Sequence, residues 1–212
     1  MTELVLASAS PARRTVLRSA GIDPIVRVSD VDEDAVAAAL PPDTTPQGVV
    51  VELAKAKAAM VAGTVPEFAA DCVVVGCDSM LLIDGMLQGK PHTPEVARAR
   101  WNAMAGRSAD LITGHCVLRL LDGVVTAEAV DCSSTTIHFA KPEPEALDAY
   151  IATGEPLHVA GAFTLDGLGG WFVDRIDGDP SSVIGIGLPL LRRLLGDVGV
   201  GVADLWREPS DH

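Results

Sequence analysis

"LVLASASPARR" runs from Leu4 to Arg14, and the reading of this stretch decides the fold. Leu4, Val5 and Leu6 form the brief apolar run of a strand buried in a sheet. The residues after it read as a helix start. Ser10 is the N-cap, Pro11 sits at the first helical position where its missing N–H costs nothing, and Val16, Leu17 and Ala20 share one face. A strand that feeds a helix through Ala7-Ser8-Ala9-Ser10 offers backbone N–H groups, hydroxyls and the positive end of the helix dipole. That corner suits an anion, phosphate above all. Arg13 and Arg14 fall in the first turn, where the dipole disfavours cations unless something negative lies close. The alternative is a plainly capped helix whose arginines point to solvent.

Outward from that corner, strand and helix patterns alternate without repeats or low-complexity linkers. "DPIVRVSDVDED" (Asp23 to Asp34) reads as a strand running into an acidic loop. "TPQGVVVELAKAKAAMVA" predicts a helix with apolar residues at helical spacing from Val50 to Met60. "CVVVGCDSMLLIDGMLQGKP" reads as a buried strand, a second strand or its continuation, a turn at Asp84-Gly85 and a loop. A helix starts at Thr93-Pro94 and runs through Trp101 and Met104 to Gly106. Two long strands between Leu111 and Phe139 flank "LDGVV", where Asp122-Gly123 is a strong hairpin signal. Pro144 to Thr153 is helical and stops at Gly154. The glycine-rich end reads as strands and turns followed by a short final helix.

The 212 residues suit one domain or two closely packed lobes with a real core. Hydrophobic residues make up 48% and aromatic residues only 4%, a soluble α/β composition. A net charge of −13 argues against a nucleic-acid backbone as partner, which needs an extended basic face. An anionic small molecule remains within reach if a few cations converge locally. "MTELVLASAS" carries an acidic residue and no basic n-region, so it does not read as a secretory signal. No stretch approaches the ~18 apolar residues of a membrane span. Cys72, Cys77, Cys116 and Cys132 lack metal-site spacing and read as small core residues in a reducing cytoplasm. The five histidines are scattered, and neither a zinc site nor a Ser/His/Asp arrangement is expected.

Asp78 is the first candidate for chemistry. It follows "CVVVGC", so a carboxylate stands at the end of a deeply buried strand, where only a metal ion or a cationic neighbour makes it tolerable. A turn aspartate capping nearby N–H groups is the rival reading. Lys90 in "QGKP" is not part of a P-loop, which requires one more residue between its glycines and a Ser or Thr after the lysine. Pro91 instead pins the backbone beside it. In "LAKAKA", Lys57 competes with a surface reading that Lys55 satisfies better. "DGLGG" at Asp166 to Gly170 lacks the strand and helix context of a dinucleotide fingerprint.

In order and spacing these motifs resemble the Maf family of nucleoside triphosphate pyrophosphatases. The matching stretches are "LASASPARR", Asp32-Glu33, "LAKAKA", "GCDS", "GKP", Thr113-Gly114, "GEPLHVAGAFTLDG" and "VIGIGLP", and they cover nearly the whole chain. The resemblance implies one Maf-like domain over residues 1–212. It implies an α/β fold, a two-lobed, strongly twisted mixed sheet flanked by helices with a central cleft, as in inosine triphosphate pyrophosphatases. It further implies hydrolysis of nucleoside triphosphates between the α and β phosphates with a divalent cation, magnesium or manganese, in the cytoplasm, and it is compatible with a homodimer.

Residue by residue, Asp78 matches the family's catalytic base. Ser8, Ser10, Arg13, Lys57 and Lys90 match its phosphate-handling positions, and Glu33 matches an acidic position on the metal together with Asp78. A triphosphate carries about four negative charges, which Arg13, Lys57, Lys90 and a metal would offset before water attacks. The chain departs from the family at three positions tied to base preference: Ala12 where Arg is common, Ser79 where Thr is, and Asp166 where Gln is. A roomier rim and acceptance of several bases are the expected result. Val159 replaces a common lysine, and "VIGIGLP" is two residues longer than usual. The alternative function is a nucleotide-binding regulator of septum formation; an inosine triphosphate pyrophosphatase is a third.

Overall fold

A computed structural model describes residues 2–64 and 70–206. Among the described residues it is an α/β structure with seven strands in one mixed sheet and helices packed against it. The strands are β1 (Glu3–Ala7), β2 (Ile25–Arg27), β3 (Asp71–Ile83), β4 (Met86–Gln88), β5 (Ser108–Leu121), β6 (Val124–Phe139) and β7 (Val173–Asp177). Their order is β2-β1-β3-β5-β6-β7, with β4 paired to β3. β1 runs parallel to β2 and β3, while β3, β5, β6 and β7 form an antiparallel succession. The helices are α1 (Pro11–Ser19), α2 (Glu33–Ala39), α3 (Pro46–Ala62), α4 (Pro94–Met104), α5 (Pro144–Ala152), α6 (Pro180–Ile184) and α7 (Leu188–Asp197).

Local chemistry explains most boundaries. Five of these helices have a proline at the first position behind a side-chain or extended cap residue, as at Ser10, Thr45, Thr93, Glu143 and Asp179. Asp84-Gly85 and Asp122-Gly123 both hold positive φ at two successive residues, the backbone a tight hairpin between twisted strands requires. The expected acidic loop at Asp32-Glu33 is instead a helix start. The Asp32 side chain accepts from Ala35 N–H at 2.9 Å, and Glu33 and Asp34 complement the dipole of α2. The expected strand end at Asp78 is also corrected. β3 continues through Ile83 because β5 pairs with it from Asp71 to Leu82 and β4 takes up Leu81 to Ile83. At the C-terminal end a single short strand, β7, precedes two helices where one was expected.

The apolar core divides along the strand direction. At one end β1, the first half of β3 and the second half of β5 carry side chains alternately to two faces. Leu4, Leu6, Val73, Val75 and Val117 meet α1 and α7, while Val5, Val74, Cys116 and Leu118 meet α3. At the other end Leu81, Ile83, Leu111, Ile137 and Phe139 pack with α4 and α5 around Trp101. Trp101 is fully buried, edge-on to Phe139, Tyr150 and Phe172, and donates to Ala162 O at 2.8 Å.

The junction of the two ends is defined by register. β1 leaves β3 after Ala7 pairs with Gly76, and β4 joins only at Leu81. On that edge Cys77 to Met80 have no strand neighbour among the described residues, and this gap is where the sequence candidates gather.

Candidate active site

Helix α3 reaches the gap because two strands present it with no side chain. A Cβ built on Gly76 would lie 2.2 Å from Ala54 O, and one on Gly114 would lie 2.3 Å from Val50 O. The helix therefore rests on bare backbone of β3 and β5. Its buried stripe is Val50, Leu53, Ala54, Lys57, Ala58, Val61 and Ala62, a helical period in which one member is a lysine. Met60, expected in the stripe, is half exposed. Lys55 points outward to Glu52 at 2.9 Å.

Lys57 is 7% exposed, and its Nζ lies 2.6 Å from Asp78 Oδ1 and 2.7 Å from Glu33 Oε1. A buried ammonium between two carboxylates is electrostatically satisfied. Burial pushes the Asp78 carboxyl above its ordinary range even though Lys57 and Arg13 pull the other way. For Glu33, burial also pushes upward, but the hydrogen bond and charge of Lys57, with Lys90 and Arg13 behind it, bring it below the ordinary value. Asp78 Oδ2 is buried and makes no hydrogen bond. Such an atom is costly unless water, a ligand or an ion meets it.

Arg13 closes the gap from the other side. Its Nη1 donates to Cys77 O at 2.9 Å, the carbonyl left over where β1 ends, and to Ser8 Oγ at 3.0 Å. Nη2 donates to Ser79 Oγ at 3.3 Å and Nε to Gly185 O at 2.8 Å. Most of the guanidinium is thus held by protein acceptors, leaving one Nη2 hydrogen from its five donors. Ser8 Oγ also accepts from Ser10 N–H, and Ser10 Oγ accepts from Arg13 N–H, so each hydroxyl keeps its own proton to donate. Lys90 is exposed, with buried Pro91 after it and Gly89 O holding Gly161 N–H at 3.2 Å. Arg13, Lys57 and Lys90 all act on Glu33, so three cations face two carboxylates locally in a chain of net charge −13.

The structure therefore joins Glu33, Lys57 and Asp78 in one cluster and Ser8, Ser10, Arg13 and Ser79 in another along the same edge. Ala12 is half exposed in α1, and Asp166 is exposed on a loop. That loop is clamped by Glu155, whose carboxylate accepts from Thr164 Oγ1 at 2.5 Å and from the N–H groups of Leu168 and Gly169 at 3.1 Å. Neither Ala12 nor Asp166 bonds to the clusters.

Sequence reading did not single out the buried polar residues beneath the gap. Thr113 Oγ1 lies 3.0 Å from Ser79 Oγ and 3.1 Å from Ser182 O, and Ser182 also bonds to Ser133. The only local signal was "TG" at Thr113-Gly114, whose glycine pairs opposite Asp78. One expectation is overturned: a Ser/His/Asp alignment exists. Ser108 Oγ lies 2.7 Å from His138 Nδ1, and His138 Nε2 lies 2.8 Å from Asp177 Oδ2. It arises because these residues lie on the neighbouring strands β5, β6 and β7. Arg175 shares the Asp177 carboxylate at 2.8 Å, and Ser108 and Asp177 are exposed, so the set is a cross-strand surface ladder.

Known proteins are similar to this chain over nearly its whole length. A family described as Maf-like protein matches residues 3–198. The chain is 84% identical over 207 residues to a nucleoside triphosphate pyrophosphatase of Nocardia farcinica, covering 98% of each chain. It is 70% identical to a protein of that name from Rhodococcus jostii, covering 97% of each. It is 58% identical to another from Mycolicibacterium gilvum, over 97% of this chain and 99% of the other.

Proposed function

The chain belongs to the Maf family, and we propose from that membership and from the gap on β3 that it works as a nucleoside triphosphate pyrophosphatase. Water attacks the α-phosphorus, the bond to the α–β bridging oxygen breaks, and pyrophosphate leaves a nucleoside monophosphate behind. The observation that carries the reading is Lys57 held between Glu33 and Asp78 beside an unpartnered buried oxygen, Asp78 Oδ2. Asp78 orients the water and takes its proton, a role that a carboxyl of raised pKa performs better than an ordinary one. Arg13, Lys57 and Lys90 offset phosphate charge, and the hydroxyls of Ser8 and Ser10 donate to phosphate oxygens.

A divalent cation fits these residues. Glu33 and Asp78 are hard oxygen donors held on one ammonium. Among the described residues no group of three or more His, Cys, Asp or Glu forms a cage. Two carboxylates, one of them with an orphaned oxygen, suit an ion shared with substrate phosphates, as magnesium prefers. When bound, it neutralises phosphate charge and polarises the phosphoryl oxygens. Ser79 Oγ is taken up by Arg13 and Thr113, and Ala12 and Asp166 bring no bond to the clusters, so few fixed contacts await the base, several nucleotides are substrates and the enzyme clears excess or non-canonical ones. The test is pyrophosphate release by the purified protein across canonical and modified triphosphates with magnesium or manganese. Release of single phosphate, or no turnover on the whole panel, overturns the reading.

A further inference from the structure

We propose that His115 is a positioning residue for this site, acting on Arg13 through the turn Gly185-Ile186-Gly187. The proposal rests on the reading of Arg13 as a phosphate-handling residue. His115 stands on β5 one residue past Gly114 and is 0% exposed. Its Nδ1 lies 3.1 Å from Thr113 O, and a carbonyl only accepts, so Nδ1 carries the proton. Nε2 is then a bare acceptor, and Gly187 N–H donates to it at 2.9 Å. The neutral imidazole spans strand and turn in one tautomer. Burial pushes its pKa down to about 4, so this state holds at neutral pH.

The turn it holds is the one that grips Arg13. Gly185 O accepts from Arg13 Nε at 2.8 Å, and a Cβ on Gly185 would lie 3.2 Å from that same nitrogen. Gly185 has φ 131°, a backbone that side-chain-bearing residues rarely adopt, so the carbonyl is aimed by an unusual conformation. The turn starts from α6, where Gly185 N–H and Ile186 N–H both return to Ser181 O at 3.1 and 3.2 Å. Its far side is held at Gly187 by His115. Removing the acceptor leaves a buried N–H without a partner and loosens the turn at Gly187, although buried Ile186 and the Leu188 N–H bond to Ser181 Oγ at 2.9 Å keep it in place, and so shifts the carbonyl that sets the direction of the guanidinium.

The experiment compares pyrophosphate release by His115→Leu, His115→Gln and His115→Asn, each alone and with Arg13→Ala. Gln places an amide oxygen where Nε2 stands, while Asn reaches only the Nδ1 position. His115→Leu and His115→Asn should lower kcat/KM about tenfold and His115→Gln should retain most of it, at matched folded fraction. In the Arg13→Ala background the same changes should cost less than about twofold, because the residue through which they act is gone. If His115→Leu does not fold, the Gln and Asn pair alone decides. Equal loss in Gln and Asn, additive losses with Arg13→Ala, or an Arg13→Ala enzyme with normal kcat/KM overturns the proposal. Wild-type turnover is measured in the same series, so failure of the pyrophosphatase reading would be seen separately.

Discussion

A buried carboxylate is ordinarily a fault in a core, and Asp78 is tolerated because Lys57 meets one oxygen, while the other, beside the gap on β3, has no hydrogen-bond partner among the described residues. Asp78→Asn keeps the shape and removes the proposed base. Loss of a positioned base costs about 10²–10⁴-fold in rate, so kcat should fall by that factor while the circular dichroism spectrum is unchanged. The neighbouring lysines separate structure from surface. Lys57→Ala leaves Glu33 and Asp78 facing each other without their ammonium and should lower both kcat/KM and Tm. Lys55→Ala removes a partly exposed pair with Glu52 and should shift stability by less than about 1 kcal/mol, with turnover unchanged. Steady-state kinetics and thermal melts on the two variants check the contrast.

At the scale of elements, the site depends on how closely α3 approaches the sheet. Gly114→Ala would set a methyl carbon against Val50 O, and overpacking of this kind costs about 1–3 kcal/mol. Because the same shift lifts Lys57 away from Asp78, kcat/KM should fall together with the urea midpoint. Gly196→Ala, in an exposed part of α7 with nothing within 4 Å, should be neutral or stabilising by about 0.4–1 kcal/mol. Legibility in the sequence divides along the same line between local and long-range contacts. Prolines behind caps and the Asp-Gly turns announce helices and hairpins, since their physics is confined to a few residues. The stripe of α3 is legible as periodicity, and Lys57 only as the less surface-like of two neighbouring lysines. The acidic start of α2 was misread because Asp32-Glu33 has the composition of a loop and acts as a cap. The extent of β3 is only half legible, as a second strand or a continuation, because pairing with β5, and not local propensity, carries it past Asp78. The acceptor that steers Arg13, Gly185 O, lies 172 residues away, beyond any local pattern.

Across the whole molecule, burial of ionisable groups makes stability depend on pH. His115 is neutral in the folded protein, with its pKa pushed down to about 4, whereas an unfolded histidine titrates near 6.5. Below pH 6.5 the unfolded chain therefore binds a proton that the folded one refuses. The stability this residue contributes is complete above pH 6.5 and is lost as pH falls towards 4, a difference of about 3 kcal/mol. Thermal melts between pH 7.5 and 4 should show a steeper fall in Tm for the wild type than for His115→Gln, and parallel curves would refute the assignment. The ion-paired burial of Lys57 has a consequence for covalent reactivity. The chain has only four lysines: Lys55, Lys57, Lys90 and Lys141. Lys90 and Lys141 are exposed and Lys55 is half exposed, whereas Lys57 is sealed between carboxylates. An amine-directed acylating reagent should mark the other three readily in the ligand-free native protein and Lys57 far more slowly, because its ammonium is tied to two carboxylates, until the chain opens. Intact-mass spectra should then gain that last adduct quickly only in urea, so a single mass increment reports whether the heart of the molecule is closed.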